Sequence, residues 1–160
     1  MEKKKVYVAS PLGFNEAGRL YLRKELHPAL ESLGLAILDP WAWQAGLSNR
    51  QIMDMAGKGT PDDLAIELGA KNIAAVDMAN LVVAVLDGPD VDSGTAGEMG
   101  NAQAKGLPVY ALRTDFRFSG DSEQGINLQL LAYVKLSGGE FYRTLEDLIE
   151  GLKERLLHES

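Results

Sequence analysis

Leu81-Val82-Val83-Ala84-Val85-Leu86 is followed, after a short loop, by Asp92-Ser93-Gly94-Thr95-Ala96-Gly97-Glu98-Met99-Gly100-Asn101-Ala102. The first segment is apolar throughout, without the polar alternation of a half-exposed strand. It reads as a strand buried on both faces, as in a parallel sheet covered by helices. The second reads as a tight glycine turn entering a helix over about Thr95–Lys105. That places Glu98 in the helix's first turn, where free N–H groups and the positive end of the dipole favour an ionised carboxylate. Gly94 and Gly97 remove side-chain bulk, so a ligand can approach the backbone.

Outward from this unit, strand and helix signals alternate. Lys5–Ser10 reads as a first strand ended by Pro11. Asn15 caps a helix running to about Leu33, with Gly34 as its stop and Pro28 expected to kink or split it. Leu35–Leu38 is a short second strand closed by Asp39-Pro40, and residues 41–60 read as irregular. A helix follows from about Pro61, a residue suited to a first helical position, to Ala79. After the strand Leu81–Leu86 and its helix, Val109–Leu112 is a fourth strand and 113–126 a polar loop, solvated by default, whose Arg113-Thr-Asp115-Phe-Arg117 cluster has contact with a base or a neighbouring subunit as its alternative reading. Residues 127–135 look helical, a short fifth strand lies near Glu140–Tyr142, and Leu145–Leu157 closes as an amphipathic helix. The expected fold is α/β, a doubly wound five-stranded parallel sheet with helices on both faces. Ligands in such folds bind at the carboxyl ends of the strands, where strand order reverses.

Composition narrows the function. The 160 residues suggest one domain spanning 1–160. A net charge of −7 argues against a nucleic-acid partner, which needs a basic stripe to displace counterions. The chain has no cysteine, which excludes thiol catalysis, disulfides and cysteine-ligated metal, and fits a cytoplasmic location. No apolar run approaches the roughly 20 residues of a membrane span, and the basic start lacks a signal-peptide pattern. His27 and His158 lie far apart without metal-ligand spacing. Asp87, Asp90 and Asp92 make an acidic loop but no firm metal pattern, so neither metal nor cofactor is expected.

Glu98 therefore leads the candidates, although a carboxylate near a helix start is often only a dipole partner. Tyr7, on the first strand, is either a core aromatic or a hydroxyl donor to a carboxylate across the site. Asp92 at the loop mouth is either a cap or a site residue.

The segments Tyr7-Val-Ala-Ser-Pro-Leu-Gly13-Phe14, Asp92-Ser-Gly94-Thr-Ala-Gly-Glu98-Met-Gly and Gly125-Ile-Asn127-Leu resemble, in order and spacing, the three signatures of the nucleoside 2-deoxyribosyltransferase family. The middle segment is the most specific. The resemblance implies a flavodoxin-like fold and an enzyme that transfers 2-deoxyribose between nucleobases. It implies that Glu98 is the nucleophile, attacking C1′ of a 2′-deoxynucleoside to give a covalent deoxyribosyl intermediate. Tyr7 would position Glu98. Asp92 and Asn127 would bind the hydroxyl end of the sugar, Asn127 reaching in from a neighbouring subunit of a dimer-based tetramer or hexamer. Gly13, Phe14 and Gly94, within the matched segments, would contact the substrate, as would Trp41 and Asn72. The implied partners are nucleosides and free nucleobases, in nucleotide salvage. A carboxylate at Asp92 accepts a hydrogen bond from a 5′-hydroxyl but repels a 5′-phosphate, by about 1 kcal/mol at 4 Å in water and more in a semi-buried site.

One position departs from the family. Asn72 stands where the family usually carries an aspartate that helps protonate the base, and an amide can bind a base but cannot protonate it. Asp77 lies five residues on, about 140° round the helix, and is poorly placed to substitute. Trp41, Trp43 and Gln44 fall where the family lines its base pocket, and stacking on an indole is a suitable role. Two other readings stay open: hydrolysis of deoxynucleosides or their 5′-monophosphates by the same Glu98 chemistry, and a non-catalytic nucleotide-sensing module on the same fold. The related phosphoribohydrolases share a Gly-Thr-x-x-Glu turn but usually carry a Pro-Gly-Gly lead that is missing here.

Overall fold

In a computed structural model, residues 2–44 and 62–158 are described, without the side chains of 43, 44 and 62–64. The expectations for Trp43, Gln44 and the Pro61 helix start therefore lie outside the described residues. Five strands, β1 (Lys5–Ala9), β2 (Ala36–Leu38), β3 (Leu81–Val85), β4 (Val109–Leu112) and β5 (Phe141–Tyr142), form one sheet in the order β2-β1-β3-β4-β5. Every pairing is parallel, with Tyr7 opposite Val82 and Leu38. Among the described residues six α-helices surround it: α1 (Glu16–Tyr21), α2 (His27–Ser32), α3 (Asp62–Met78), α4 (Ser93–Ala104), α5 (Leu128–Leu136) and α6 (Leu145–His158).

Strand alternation divides the core into two layers. Val6, Val8, Val83, Val85 and Leu112 pack against Leu22, Leu26, Leu30, Leu148 and Leu152, on the face covered by α1, α2 and α6. Tyr7, Ala9, Val82, Ala84 and Ala111 pack on the opposite face against Val76, Met99, Ala102, Leu130 and Val134 of α3, α4 and α5. Small residues on that second face let α4 lie close to the sheet. Among the described residues no helix is long and apolar enough to cross a membrane.

Two sequence readings are corrected. The helix carrying Glu98 begins at Ser93, not Thr95, because the Asp92 side chain caps it by accepting from the Thr95 N–H at 2.9 Å. Glu98 thus lies in the second turn, beyond the free N–H groups. Residues 113–126 are not a merely solvated loop, since Arg113 is fully buried. Its guanidinium donates to the carbonyls of Leu86, Gly88 and Arg117, tying together the loops after β3 and β4. Asp87 adds to that tie by accepting from the Thr114 and Asp115 N–H groups. Pro28 is accommodated by a π-helical turn over Leu22–Leu26 that joins α1 to α2, the local widening that often absorbs a disrupted helical ladder.

The loop after β1 is held by close packing. A Cβ on Gly13 would lie 1.9 Å from Trp41 Cδ2, and the Trp41 indole N–H donates to the Ser10 carbonyl at 2.9 Å. Gly13→Ala should therefore lower stability by about 1–3 kcal/mol, the usual scale of overpacking. Equilibrium denaturation followed by tryptophan fluorescence checks this, and an unchanged midpoint would show that Trp41 has room to move.

Candidate active site

Strand order reverses between β1 and β3, and the site lies at the carboxyl ends of these strands, where α4 begins. Alternation along β1 turns the Tyr7 side chain towards α4, where its hydroxyl donates to Glu98 Oε1 at 2.6 Å. The Asn72 amide of α3 donates to the same oxygen at 3.4 Å. Three elements distant in sequence thus converge on one carboxylate. A cavity of about 180 Å³ opens over it, walled on one side by Phe14, Pro40 and Trp41 and on the other by Asp92, Gly94 and Thr95. Phe14 stands edge-on to Trp41 with ring centres 4.6 Å apart.

Burial pushes the Glu98 carboxyl up to about 7; the Tyr7 hydrogen bond opposes this rise, and the charge of Asp92 adds to it. Tyr7 itself is held far above its ordinary range by burial and by the adjacent Glu98 charge, so it stays a hydroxyl and donates. The helix-dipole argument for a readily ionised Glu98 is therefore overturned. Position in the second turn and burial dominate, and the group stands between its two forms at neutral pH. A carboxyl poised there in a cleft suits nucleophilic or acid–base work.

The other expected site residues are placed as follows. Asp92 faces the cavity and also caps α4, its Oδ2 accepting from both the N–H and the hydroxyl of Thr95. Gly94 lines the cavity, whereas Gly13 sits beneath Trp41 and supports the wall. Asn127 is not brought to Glu98 within the chain; it is exposed and caps α5, accepting from the Gln129 N–H at 2.8 Å. Asp77 pairs with Lys105 away from the cavity. Ser10, Pro40 and Thr95 were missed as lining residues. Thr95, inside the Asp-x-Gly-Thr turn, was the one with a sequence signal, since its N–H and hydroxyl suit a helix start. Among the described residues no cluster of His, Cys, Asp and Glu could hold a metal ion.

Fold and site together define an α/β protein with a tyrosine-held carboxylate at the switch point of a flavodoxin-like sheet. The nucleoside 2-deoxyribosyltransferase family matches residues 6–129, and the chain belongs to that family. Among solved structures, a conserved protein from Enterococcus faecalis V583 is 27% identical, with a TM-score of 0.67 over 96% of this chain and 99% of that one. A 2-deoxyribosyltransferase from Bacillus psychrosaccharolyticus shares the fold at 20% identity and a TM-score of 0.67, covering 91% and 90% of the two chains. A CMP N-glycosidase from Clostridium botulinum shares it at 17% identity and a TM-score of 0.55, covering 95% and 99%. No curated protein matches the chain.

Two measurements test the electrostatics. In a carboxyl ¹³C NMR titration Glu98 should have its midpoint near pH 7, and Tyr7→Phe should raise it, because the hydroxyl stabilises the ionised form. Linkage gives the sign for stability. With the folded value raised to about 7 from an ordinary 4.5, the unfolded chain loses this proton first. The Glu98 contribution to stability is thus fully present below about 4.5 and lost as pH rises through about 7. Glu98→Gln should lack that loss, so its stability relative to the parent should be greater at pH 8 than at pH 5 by urea denaturation.

Proposed function

We propose that the chain transfers 2-deoxyribose between nucleobases, with Glu98 as nucleophile. The supporting observation is the 2.6 Å hydrogen bond from Tyr7 to Glu98 within a cavity that also holds Asp92 and Asn72. Glu98 attacks C1′ as the N-glycosidic bond breaks, and the oxocarbenium character that develops at C1′ is stabilised by the carboxylate before it bonds. A second base then takes the sugar from Glu98 by a second inversion, which restores the β configuration. The missing 2′-hydroxyl lets the sugar ionise readily. Tyr7 holds the carboxylate and favours its ionised form. Phe14 and Trp41 offer apolar surface for a base.

Asp92 is the 5′-hydroxyl acceptor, and its charge disfavours 5′-phosphates. Asn127, exposed at the start of α5, completes the site of a neighbouring copy in a dimer-based assembly. The chain acts as one domain, without cofactor, in cytoplasmic nucleotide salvage.

Hydrolysis is the second reading. Glu98 and Asn72 also line a wider groove of about 420 Å³ between α3 and α4, so in the single chain water has a second approach to the carboxylate.

Incubation with 2′-deoxyinosine and adenine should yield 2′-deoxyadenosine. Glu98→Ala should lower turnover on the order of 10³-fold or more, as expected for loss of a nucleophile. Tyr7→Phe should lower it about tenfold to a hundredfold, the value of a hydrogen bond to a charged group. Chromatography separates the products. Hypoxanthine release without transfer would move the assignment to a hydrolase, and full activity of Glu98→Ala would remove Glu98 from the chemistry.

A further inference from the structure

We propose that Asn72 is a positioning residue for the nucleophile and supplies no proton to the departing base, which directs the chain towards 2′-deoxynucleosides of bases that leave readily as anions, those whose rings carry carbonyls in place of exocyclic amino groups. This rests on the reading of Glu98 as nucleophile. Tyr7 and Asn72 both donate to Glu98 Oε1, at 2.6 and 3.4 Å, one from the sheet and one from α3. With Oε1 held by two donors, we assign the attack to Oε2. An amide at that place orients a carboxylate, but it holds no ionisable proton. Among the described residues lining the cavity the other carboxyl is Asp92, whose Oδ2 already accepts from the Thr95 N–H and hydroxyl.

The step follows from this placement. Oε2 bonds to C1′, the C1′–N bond breaks, and its electron pair goes to the base nitrogen. The base leaves as an anion and takes its proton from water. An acceptor base then bonds C1′ through nitrogen, returns the electron pair to Oε2, and gives up its N–H proton to water. Negative charge on the leaving nitrogen spreads into the ring carbonyls of hypoxanthine, xanthine or uracil. The amino-substituted rings of adenine and cytosine spread it less well, so donors of the first kind react faster.

The test compares kcat for 2′-deoxyinosine with 2′-deoxyadenosine, and for 2′-deoxyuridine with 2′-deoxycytidine, in the parent, Asn72→Ala and Asn72→Asp. In the parent, turnover should rise towards about tenfold for each unit by which the leaving base is more acidic. Asn72→Ala should keep that slope at a lower kcat. Asn72→Asp should narrow each gap to about threefold or less and add a fall in rate at alkaline pH, as the new acid deprotonates. Equal turnover of both members of a pair by the parent, or an undiminished gap in Asn72→Asp, would overturn the inference. If no deoxynucleoside is turned over, the Glu98 reading fails separately. The positioning role is then read from the Glu98 ¹³C titration, which Asn72→Ala should move to higher pH; an unmoved midpoint would overturn it.

Discussion

The parallel pairing of β1 with β3 fixes everything at the site. It sets Tyr7 opposite Val82, and the alternation of β1 then sends Val6 and Val8 to one core layer and Tyr7 and Ala9 to the other. A slip of one residue would bury the Tyr7 ring among Leu22, Leu26 and Leu30 and leave Glu98 without its hydroxyl donor. Such a slip would also invert both valine-rich layers, so the whole core opposes it. The same pairing creates the reversal of strand order, because β2 lies on the other side of β1, and the crevice opens there. The register that gives the core its two faces is therefore the register that aims the tyrosine.

Glu98 is held in a balance that suits its proposed task. Burial and the nearby Asp92 charge favour the neutral acid, while the Tyr7 hydroxyl favours the carboxylate. A neutral acid is cheaper to keep half-buried in the empty site. In the proposed reaction a sugar developing positive charge at C1′ would tilt the balance, since an opposite charge within bonding distance favours the ionised form. The carboxylate is then strongest where positive charge develops. That is the differential stabilisation that catalysis requires. The cost falls on the folded state at neutral and alkaline pH, where the unfolded chain ionises this group more easily.

Much of this was legible in the sequence. The uninterrupted apolar runs Leu81–Leu86 and Val109–Leu112 read as buried strands by their short length, and the alternation of elements points to the parallel sheet. The Asp-x-Gly-Thr-x-x-Glu spacing located both the cap and the carboxylate. The start of α4 was misplaced by two residues, because Gly94 looked like turn whereas the Asp92–Thr95 cap draws Ser93 and Gly94 into the helix. The two-residue difference places Glu98 in the second turn, and burial, which no local pattern records, raises its pKa. Arg113 was misread because its partners are main-chain carbonyls of loops distant in sequence, which no local pattern records. Gly13 was expected to touch ligand; its need for smallness comes instead from the Trp41 ring, across a contact between residues 28 positions apart.

Asp92 shows how one side chain can serve both the fold and the electrostatics of the cavity. Its two hydrogen bonds from Thr95 fix the first turn of α4 and keep the carboxylate from swinging away. A carboxylate held in this way is a steady source of negative potential beside Glu98, and part of the rise in the Glu98 value comes from it. Among the described residues that line the cavity two are carboxylates, Asp92 and Glu98, and none is a cation. Under the proposed function such a site would repel a phosphate and favour a neutral sugar, most strongly as the sugar becomes cationic. Replacing the cap by serine would keep the helix start, since serine caps nearly as well, but would remove the repulsion. Under the proposed function, selection between nucleoside and nucleotide would then change at Asp92 without disturbing the fold, and selection between bases would rest on the Asn72 amide that donates to the same carboxylate.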